Sequence, residues 1–416
     1  MRRFTSHAYM LASFIAGIAF VYSCGGGGGG GGGGSTADGQ ATLETRVAAL
    51  EALLSGVTND STTLTISGRN VQIVSGSGVT DDGGTLTGLG NLIIGYNADA
   101  GTNSRTGSHN LIIGDEHAYT SYGGLVAGIN NAITAPSASV SGGQLNTASG
   151  DFASVSGGQS NNATNTGASI SGGINNDASG SFSSISGGNL NTATNNAASV
   201  SGGQSNTASG FYSSVSGGAN NTASGSESSV SGGQSNLASG NYASILGGAS
   251  NSAGPGFQAT VSGGENNVAS GLRASVSGGQ YNVASGDWSS VTGGGAASAG
   301  NGNTATGTYA SVTGGSNNSA DGLNASVTGG LSNTATGTES WVGGGNLNNA
   351  NGQWSSVTAG QSNNADGSSS SVSGGNSNTA TSASSSVSGG QGCDPGATAN
   401  KWAVGTGSAC SGTLQN

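Results

Sequence analysis

Apolar residues recur along this chain at a fixed, short interval. From Val140 almost to the end the sequence repeats the pattern S-V-S-G-G-x-x-N-x-A-S-G-x-x-[AS] with a fifteen-residue period, and only the steps from Ile245 to Val261 and from Val291 to Val312 are longer. The central apolar residues of the 17 copies are Val140, Val155, Ile170, Ile185, Val200, Val215, Val230, Ile245, Val261, Val276, Val291, Val312, Val327, Val342, Val357, Val372 and Val387. Such a period indicates that each repeat is one structural unit, which buries its apolar face by stacking on the next.

Each repeat combines one short β-favouring triplet with a pair of glycines. A unit of this size is too small for a helical hairpin or a propeller blade, and it fits one coil of a parallel β-solenoid with coils about 4.8 Å apart. In a strand such as 154–156 the valine points one way and both serines the other, so valine is predicted inside. Recurring residues such as Asn146 and Ala148 are predicted to form stacked columns, with asparagines hydrogen-bonded along theirs.

The predicted core is thin. Each coil offers one Val or Ile and one Ala, worth about 2 to 4 kcal/mol of burial, against about 1 to 2 kcal/mol of backbone entropy per ordered residue. Slender scaffolds of this kind gain stability by association. We therefore expect an oligomer.

A second apolar pattern precedes the repeats. Leu43, Val47, Leu50, Leu54 and Val57 are spaced by 4, 3, 4 and 3 residues, which predicts a short coiled-coil helix over 41–58. About two heptads are too short to hold chains together alone. The alternative is an amphipathic helix that packs on its own domain.

The start of the chain is typical of an exported protein. A basic beginning and an apolar run predict a secretory signal over 1–23. Val21-Tyr22-Ser23-Cys24 resembles the lipobox of bacterial lipoproteins, which implies lipidation of Cys24; the alternative is ordinary cleavage near Ser23. The glycines of 25–34 would form a flexible tether of about 15 to 20 Å, so 24–40 is predicted to be a lipid-anchor site and tether. These features predict a cell-surface lipoprotein in the outer membrane of a Gram-negative bacterium.

Between the helix and the regular repeats lies a transition. Segments 64–66 and 71–74 are predicted strands of a β-rich neck over 59–90. Two copies of a more apolar motif follow, at 91–95 and 110–114. The repeat domain is therefore predicted over 91–390, with a C-terminal cap over 391–416.

Two stretches resemble a known family. Ile94-Gly95-Tyr96-Asn97-Ala98-Asp99-Ala100, and later Ala148-Ser149-Gly150 followed by Ser154-Val155, are similar to the head repeats of trimeric autotransporter adhesins of the YadA type. The resemblance covers about 91–390 and implies a homotrimeric, left-handed parallel β-roll. The coils are one residue longer than the family's, and the residues after Val387 lack the alternating strands of the family's membrane barrel. An anchor at the opposite end, through Cys24, is therefore expected.

The composition of the chain limits the classes of partner that it is expected to bind. Charged residues make up 6% of the chain, the net charge is −11, and Lys plus Arg number 7, so nucleic acid and acidic lipid are not expected partners. Cys393 and Cys410 are predicted to form a disulfide that closes the C-terminal cap, with two free buried thiols as the alternative. No histidine accompanies them as a zinc site would need, and the repeat lacks the aspartates of calcium-binding rolls. We expect no metal and no cofactor.

Candidates for chemistry are few. His109, Asp115, Glu116 and His117 form the chain's His-acid cluster, and we interpret them as a hydrogen-bond network at a corner. The many serines lack a partnered base. The sequence therefore predicts a protein that is not an enzyme.

Aromatic residues recur three positions before the core residue. They are candidates for stacking on glycans or seating in a partner surface, in a ladder with rungs about 10 Å apart, or for covering glycine corners and packing between chains. The seven are Phe152, Phe182, Tyr212, Tyr242, Trp288, Tyr309 and Trp354.

Two functional hypotheses follow. The first is a surface adhesin or fibre protein that assembles with itself and binds a host component, matrix component or glycan. The alternative is an ice-binding β-solenoid, because segments such as 154–156 and 290–292 resemble the hydroxyl arrays of insect antifreeze solenoids with coils of the same length. Serine outnumbers threonine in these arrays, which removes the methyl groups such a surface needs and counts against ice binding.

Overall fold

The computed structural model describes residues 35–99, 101, 103–295, 300–396, 401–406 and 409–414. They divide into two compact units at the bond between Gln72 and Ile73. The predicted signal, Cys24 and the glycine tether lie outside the described residues.

The first unit is a helix followed by a hairpin. Helix α1 spans Ser35–Leu54, and strands β1 (Val57–Asn59) and β2 (Leu64–Ile66) pair antiparallel. The Arg69 guanidinium returns to the helix end, where it donates to the carbonyl oxygens of Leu53 at 3.1 Å and Ala52 at 3.3 Å. These carbonyls have no partner within a helix, so Arg69 caps α1.

The helix bounds differ from the predicted 41–58. The helix begins at Ser35 and ends at Leu54, so Val57 lies in a strand and not on the helical seam. Gly56, with φ of 87°, turns the chain out of the helix, as a glycine just past a helix end commonly does. The four seam residues that remain on the helix, Leu43, Val47, Leu50 and Leu54, are 41 to 54% exposed within the single chain.

The second unit is a parallel β-solenoid of about 20 turns, which confirms the predicted all-β solenoid, while the left-handed turn, the trimer and the coiled coil stay predictions. Most coils give one short strand to each of two parallel sheets, which we call sheet A and sheet B. Between them a bridge after the Gly-Gly pair, such as Gln144 with Gln159, links neighbouring coils. Residues 71–74, which were predicted to be a strand, are not in a strand.

Sheet A carries the core Val and Ile residues. Its parallel strands are Leu92–Ile94, Leu111–Asp115, Leu125–Ile129, Ser139–Val140, Ser154–Val155, Ser169–Ile170, Ser184–Ile185, Ser199–Val200, Ser214–Val215, Ser229–Val230, Ser244–Ile245, Thr260–Val261, Ser275–Val276, Ser290–Val291, Ser311–Val312, Ser326–Val327, Trp341–Val342, Ser356–Val357, Ser371–Val372, Ser386–Val387 and Lys401–Thr406. A last strand, Ala409–Leu414, pairs antiparallel with Lys401–Thr406 and ends the sheet with a hairpin.

Sheet B carries the core alanines from the third strand onward. Its strands are Ala118–Tyr119, Ala132–Ile133, Thr147–Ala148, Asn162–Ala163, Asp177–Ala178, Thr192–Ala193, Thr207–Ala208, Thr222–Ala223, Leu237–Ala238, Ser252–Ala253, Val268–Ala269, Val283–Ala284, Thr304–Ala305, Ser319–Ala320, Thr334–Ala335, Asn349–Ala350, Asn364–Ala365 and Thr379–Ala380.

The predicted alternation holds through the array. Val155 is 1% exposed and pairs in register with Ile170, while the serine before each is only partly buried. The two longer steps keep this register, since Ile245 pairs with Val261 and Val291 with Val312. The extra residues are therefore accommodated in loops, and the core columns continue unbroken.

The asparagine column is buried and bonds mainly to backbone. Asn221 shows the pattern: Nδ2 donates to the carbonyls of Gly217 and Gly233, each at 2.9 Å, and Oδ1 accepts from the Asn236 backbone N–H at 3.0 Å. The prediction that asparagines bond along the column is thus refined, because most links run from a side chain to the next coil's backbone. The members are Asn131, Asn146, Asn161, Asn176, Asn191, Asn206, Asn221, Asn236, Asn251, Asn267, Asn282, Asn303, Asn318, Asn333, Asn348, Asn363 and Asn378.

A buried serine column offers a stability test. The Ser340 and Ser355 hydroxyls are buried without a hydrogen-bond partner among the described residues, whereas Ser213 Oγ donates to the Gly210 carbonyl at 2.8 Å. Alanine occupies the same column at Ala325. Because a buried polar group without a partner costs about 1 to 3 kcal/mol, Ser340→Ala and Ser355→Ala should each raise the free energy of unfolding by about 1 kcal/mol. Urea unfolding measures this.

Ser213→Ala is the matched control. It removes a hydroxyl whose hydrogen bond is made, so it should leave stability unchanged or lower it by up to about 1 kcal/mol. Equal effects of all three substitutions would contradict the assignment of unpartnered hydroxyls at Ser340 and Ser355.

Asp82 organises the N-terminal end of the solenoid. Its carboxylate accepts from the hydroxyls of Ser77 at 2.7 Å, Thr87 at 2.8 Å and Ser108 at 2.6 Å, and also from Ser75. These donors favour the charged form, and the bond from Ser108 has the largest effect, so the pKa of Asp82 lies well below its ordinary value of 3.8. The Asp82 carboxylate thus connects the loop over 75–87, which we call the N-terminal cap, to Ser108 in the first coils of the solenoid.

The lowered pKa gives a pH dependence with a defined sign. A group whose pKa is lower when folded stabilises the folded cap above its unfolded pKa, and this stabilisation is lost as the pH falls. Hydrogen exchange at residues 73–112 should therefore accelerate as the pH is lowered below about 3.8, after correction for intrinsic exchange. Asp82→Asn should show fast exchange already at neutral pH, and its difference from the native protein should narrow in acid. Equal protection of the two proteins at pH 7 would contradict this role.

Candidate functional site

One corner of each coil directs a side chain outward. The residue three positions before the core Val or Ile has a positive φ of 51 to 66° in every regular coil. Its backbone N–H donates to the previous coil, as from Trp288 to the Leu272 carbonyl at 2.7 Å, and the next residue is a buried Ala or Ser. We call this set the corner column: residues 137, 152, 167, 182, 197, 212, 227, 242, 258, 273, 288, 309, 324, 339, 354, 369 and 384.

All seven candidate aromatic residues lie in the corner column. Their exposed fractions run from 40% for Trp288 to 68% for Phe152. Since the backbone at this corner is fixed by hydrogen bonds to neighbouring coils, the rings project from a rigid support. The structure therefore presents them on the surface of the single chain.

The structure brings some of these rings together over five successive coils. The rings of Trp288 and Tyr309 stack with centroids 5.9 Å apart and an interplanar angle of 22°, and the Arg273 guanidinium lies 4.3 Å from the Trp288 ring centroid. Tyr242 and Phe257 meet at 4.9 Å. We call these five residues, Tyr242, Phe257, Arg273, Trp288 and Tyr309, the aromatic corner.

The two halves of the aromatic corner are joined by a side-chain bond. Arg273 Nε donates to Gln258 Oε1 at 2.7 Å, and Gln258 follows Phe257 in the same coil. The guanidinium is thus held by both an amide and an aromatic face, as a cation–π contact with a hydrogen bond. Near the other end, a hydrogen bond to the Glu227 carboxylate raises the pKa of the Tyr242 phenol.

The predicted ladder of rings in alternate coils is present from Phe152 to Tyr242 and is lost beyond it. Trp288 and Tyr309 belong to consecutive coils and touch, because the longer step between their core residues, Val291 and Val312, adds a loop and not a coil. Tyr212 packs against its sequence neighbour Phe211 at 4.4 Å. In the described part of the chain, Phe152 and Trp354 make no ring contact with another aromatic residue.

Phe182 has a different role. A Cβ placed on Gly167 would lie 2.6 Å from a carbon of the Phe182 ring, so the ring fills the space that this glycine leaves. Covering a glycine corner was the alternative interpretation of the aromatic residues, and for Phe182 the contact supports it. The seven candidates are therefore not one uniform surface.

Sequence reasoning missed Phe257 and Arg273. Phe257 lies four positions before Val261, next to the column residue Gln258, so a search of the third position alone passes over it. Including the fourth position before each core residue, and treating arginine as a residue that stacks on aromatic rings, would have found both.

Residues of the His-acid cluster make hydrogen bonds to backbone groups, among them Asp115, whose carboxylate accepts from the Ala98 N–H at 2.7 Å. His109 Nδ1 lies 2.9 Å from the Thr80 carbonyl, and its Nε2 accepts from the Ser75 N–H at 3.0 Å. His117 is fully buried and accepts from the Asn131 N–H at 3.2 Å, so it begins the asparagine column. No cluster of three metal-ligating residues occurs among the residues described here.

Cys393 takes the place that follows Asn378 in the asparagine column. Its N–H donates to Asn378 Oδ1 at 2.9 Å, and its side chain is buried and disulfide-bonded. The side chain of Cys410 and the whole of Cys24 lie outside the described residues, so the pairing with Cys410 and the lipidation of Cys24 stay predictions.

Comparison with known proteins adds no assignment. The chain matches no protein-family model, and no characterised protein is significantly similar to it. Within the described residues no helix has both the length and the apolar character needed to cross a bilayer.

Proposed function

We propose that this protein is a non-enzymatic surface adhesin: a lipid-anchored, homotrimeric, left-handed β-roll that mediates attachment. The observation that carries the proposal is the aromatic corner, where exposed rings and a guanidinium from five successive coils contact one another in pairs. Rigid aromatic side chains are the residues that most often anchor contacts with a partner. The carboxylates at this corner are engaged in hydrogen bonds, Glu227 with the Tyr242 phenol and Asp287 with the Leu272 N–H, which favours a binding role over a catalytic one.

Exposed apolar side chains near the N-terminal end support the trimer. Leu92, Ile93 and Ile94 in the first strand of sheet A are 43 to 51% exposed, whereas Ile112 in the next strand is fully buried. Leu50 on α1 is 54% exposed. Burying these side chains between copies of the chain would add apolar contacts to a core that is thin in each coil.

The proposed location follows from the N-terminal segment. A signal over 1–23, a lipidated Cys24 and a glycine tether would hold the protein at the outer membrane and allow the solenoid to reorient. Several lipids on one oligomer would hold more firmly than one. The partner is a component of a host, a matrix or another surface.

Attachment of whole cells tests the adhesin. Deleting residues 140–390 should abolish attachment to the surface that native cells colonise, while antibody labelling of the remaining N-terminal region checks export. Deleting 155–214 alone removes four whole coils and joins Ser154 to Val215 in register, so the aromatic corner is retained and attachment should persist. Unchanged attachment after deletion of residues 140–390 would contradict the adhesin proposal.

Ice binding is the second candidate, favoured by the Ser/Thr-rich strands. Ser154 pairs in register with Ser169, so part-exposed hydroxyl residues repeat along sheet A. The array is interrupted by Leu246, 61% exposed, and by Trp341, 38% exposed. We therefore expect thermal hysteresis no greater than that of a control protein at equal concentration. Hysteresis well above the control would make ice binding the leading hypothesis.

A further inference from the structure

The repeat is irregular where the aromatic corner lies. The coil from Ile245 to Val261 carries its extra residue in the segment 254–256, at the same corner that bears the aromatic column. The register of both sheets is unaffected. In repeat proteins, insertions that leave the core intact lie in loops on one face, and that face is often the binding face.

The aromatic corner is long and narrow. Its rings and guanidinium follow one edge over five successive coils, which at about 4.8 Å per coil is about 19 Å from Tyr242 to Tyr309. The ring side chains are 40 to 53% exposed: Tyr242 43%, Phe257 42%, Trp288 40% and Tyr309 53%. A ridge of this width suits a linear ligand.

The charge at this corner is close to neutral or slightly acidic. Arg273 is the single Lys or Arg between residues 140 and 390, and its guanidinium already bonds to Gln258 and lies over Trp288. Asp287 precedes Trp288, and its carboxylate accepts from the Leu272 N–H at 3.0 Å. Polyanions such as nucleic acids or sulfated glycans therefore meet no free cation along these coils.

We propose that the aromatic corner binds a neutral polysaccharide chain laid along the solenoid axis. The C–H faces of sugar rings are apolar and carry slight positive charge, which complements the negative faces of aromatic rings. Hydroxyl and amide side chains in the same coils, such as exposed Thr306 and part-exposed Gln258, supply hydrogen-bond partners for sugar hydroxyls. This inference deepens the adhesin proposal and rests on it.

A protein partner fits this surface less well. A stable protein–protein interface buries about 1,200 to 2,000 Å² in total and has a broad, well-packed core. A convex edge one or two side chains wide does not provide such a core, whereas a single glycan strand needs only a row of ring faces. Self-association through the same edge is an outcome that the test detects.

The test uses the full mature chain and three insoluble neutral polysaccharides, cellulose, chitin and cross-linked dextran, in a pull-down with measured bound and free fractions. The native protein should bind at least one of them. The double variant Trp288→Ala, Tyr309→Ala should weaken that binding by about tenfold or more, because both stacked rings are lost. Alanine is compatible with this backbone, since Ala197 occupies the same column with φ of 51°.

Trp354→Ala is the matched control. Trp354 lies in the same column, has a φ of 58° and is 53% exposed, but the column positions on either side of it are Glu339 and Ser369 instead of aromatic residues. Its replacement should leave polysaccharide binding unchanged. Equal losses in the two variants, full binding by the double variant, or no binding of the native protein to any of the three polysaccharides would overturn the proposal.

Two further results separate this site from the adhesin proposal. In one outcome, polysaccharide binding depends on Trp288 and Tyr309, but deletion of residues 140–390 leaves cell attachment unchanged. This would support the polysaccharide site and contradict the adhesin proposal. Attachment that needs residues 140–390 but survives the double variant would retain the adhesin and reject this site. A fall in oligomer mass in the double variant would show that the aromatic corner mediates self-association, and it would contradict the proposal that this corner binds a polysaccharide.

Discussion

Gly218→Ala is expected to destabilise the solenoid by about 3 to 6 kcal/mol, enough to disrupt the coils around it. A Cβ at this position would lie 2.1 Å from the Gly233 carbonyl oxygen and 2.6 Å from Nδ2 of Asn221. The φ of Gly218 is 87°, which a residue with a Cβ adopts only with strain. The backbone oxygen belongs to the next coil and is fixed by the stacking, so it cannot move aside without breaking register.

Gly217→Ala is the control, one residue away in the same Gly-Gly pair. A Cβ at Gly217 would meet nothing within 4 Å, and its φ is not positive. This substitution should change stability by no more than about 0.5 kcal/mol. Urea unfolding followed by circular dichroism compares the two, and similar midpoints would show that the glycine corner is not constrained as described.

Asn221→Ser is expected to cost about 3 to 6 kcal/mol, because it breaks several buried hydrogen bonds together. Asn221 Nδ2 donates to two carbonyls, and its Oδ1 accepts from the N–H of Asn236 and from Nδ2 of Asn236 at 3.1 Å. Serine is too short to replace both ends of the amide, so backbone groups of neighbouring coils lose their partners inside the core.

Asn220→Ser applies the same chemical change to the adjacent residue. Asn220 is exposed, and serine occupies its column with similar backbone geometry at Ser205 and Ser235. Its expected effect is within about 0.5 kcal/mol. Native-state hydrogen exchange should show faster opening of the coils beside Asn221→Ser and no change for Asn220→Ser. Equal exchange in the two variants would contradict a structural role for the asparagine column.

The solenoid could be predicted because one spacing determines it. Val155 and Ile170 lie one repeat apart and pair in register, and the serine before each alternates outward as a strand requires. The two longer steps did not disturb this pattern, because the extra residues lie in loops and the core residues of neighbouring coils still pair, Ile245 with Val261 and Val291 with Val312. Periodicity is a reliable signal where every unit packs only on its neighbours.

The aromatic corner could be predicted only in part. The sequence placed Trp288 and Tyr309 in one column, but their contact depends on how the loop after Val291 is accommodated, which spacing does not reveal. Phe257 lies one position before the column residue Gln258, so its contact with Tyr242 could not be predicted from the column alone. These contacts arise from side chains in successive coils, so they require the path of the chain in three dimensions.

The first unit shows the same limit. The spacing of Leu43 to Leu54 indicates a helix, yet the end of that helix is determined by Gly56 and by the Arg69 guanidinium, which returns from beyond the hairpin. Val57 continues the apolar spacing but lies in β1. A helical pattern alone does not report such a tertiary cap.

The mass of the mature, lipid-free protein in solution is the most direct test of the proposed trimeric adhesin. Light scattering coupled to size exclusion should give three chains per particle, since the exposed side chains of α1 and of the first sheet A strand would be buried between copies. A mass of one chain would contradict the trimeric roll and leave a monomeric solenoid, for which ice binding would become the leading hypothesis.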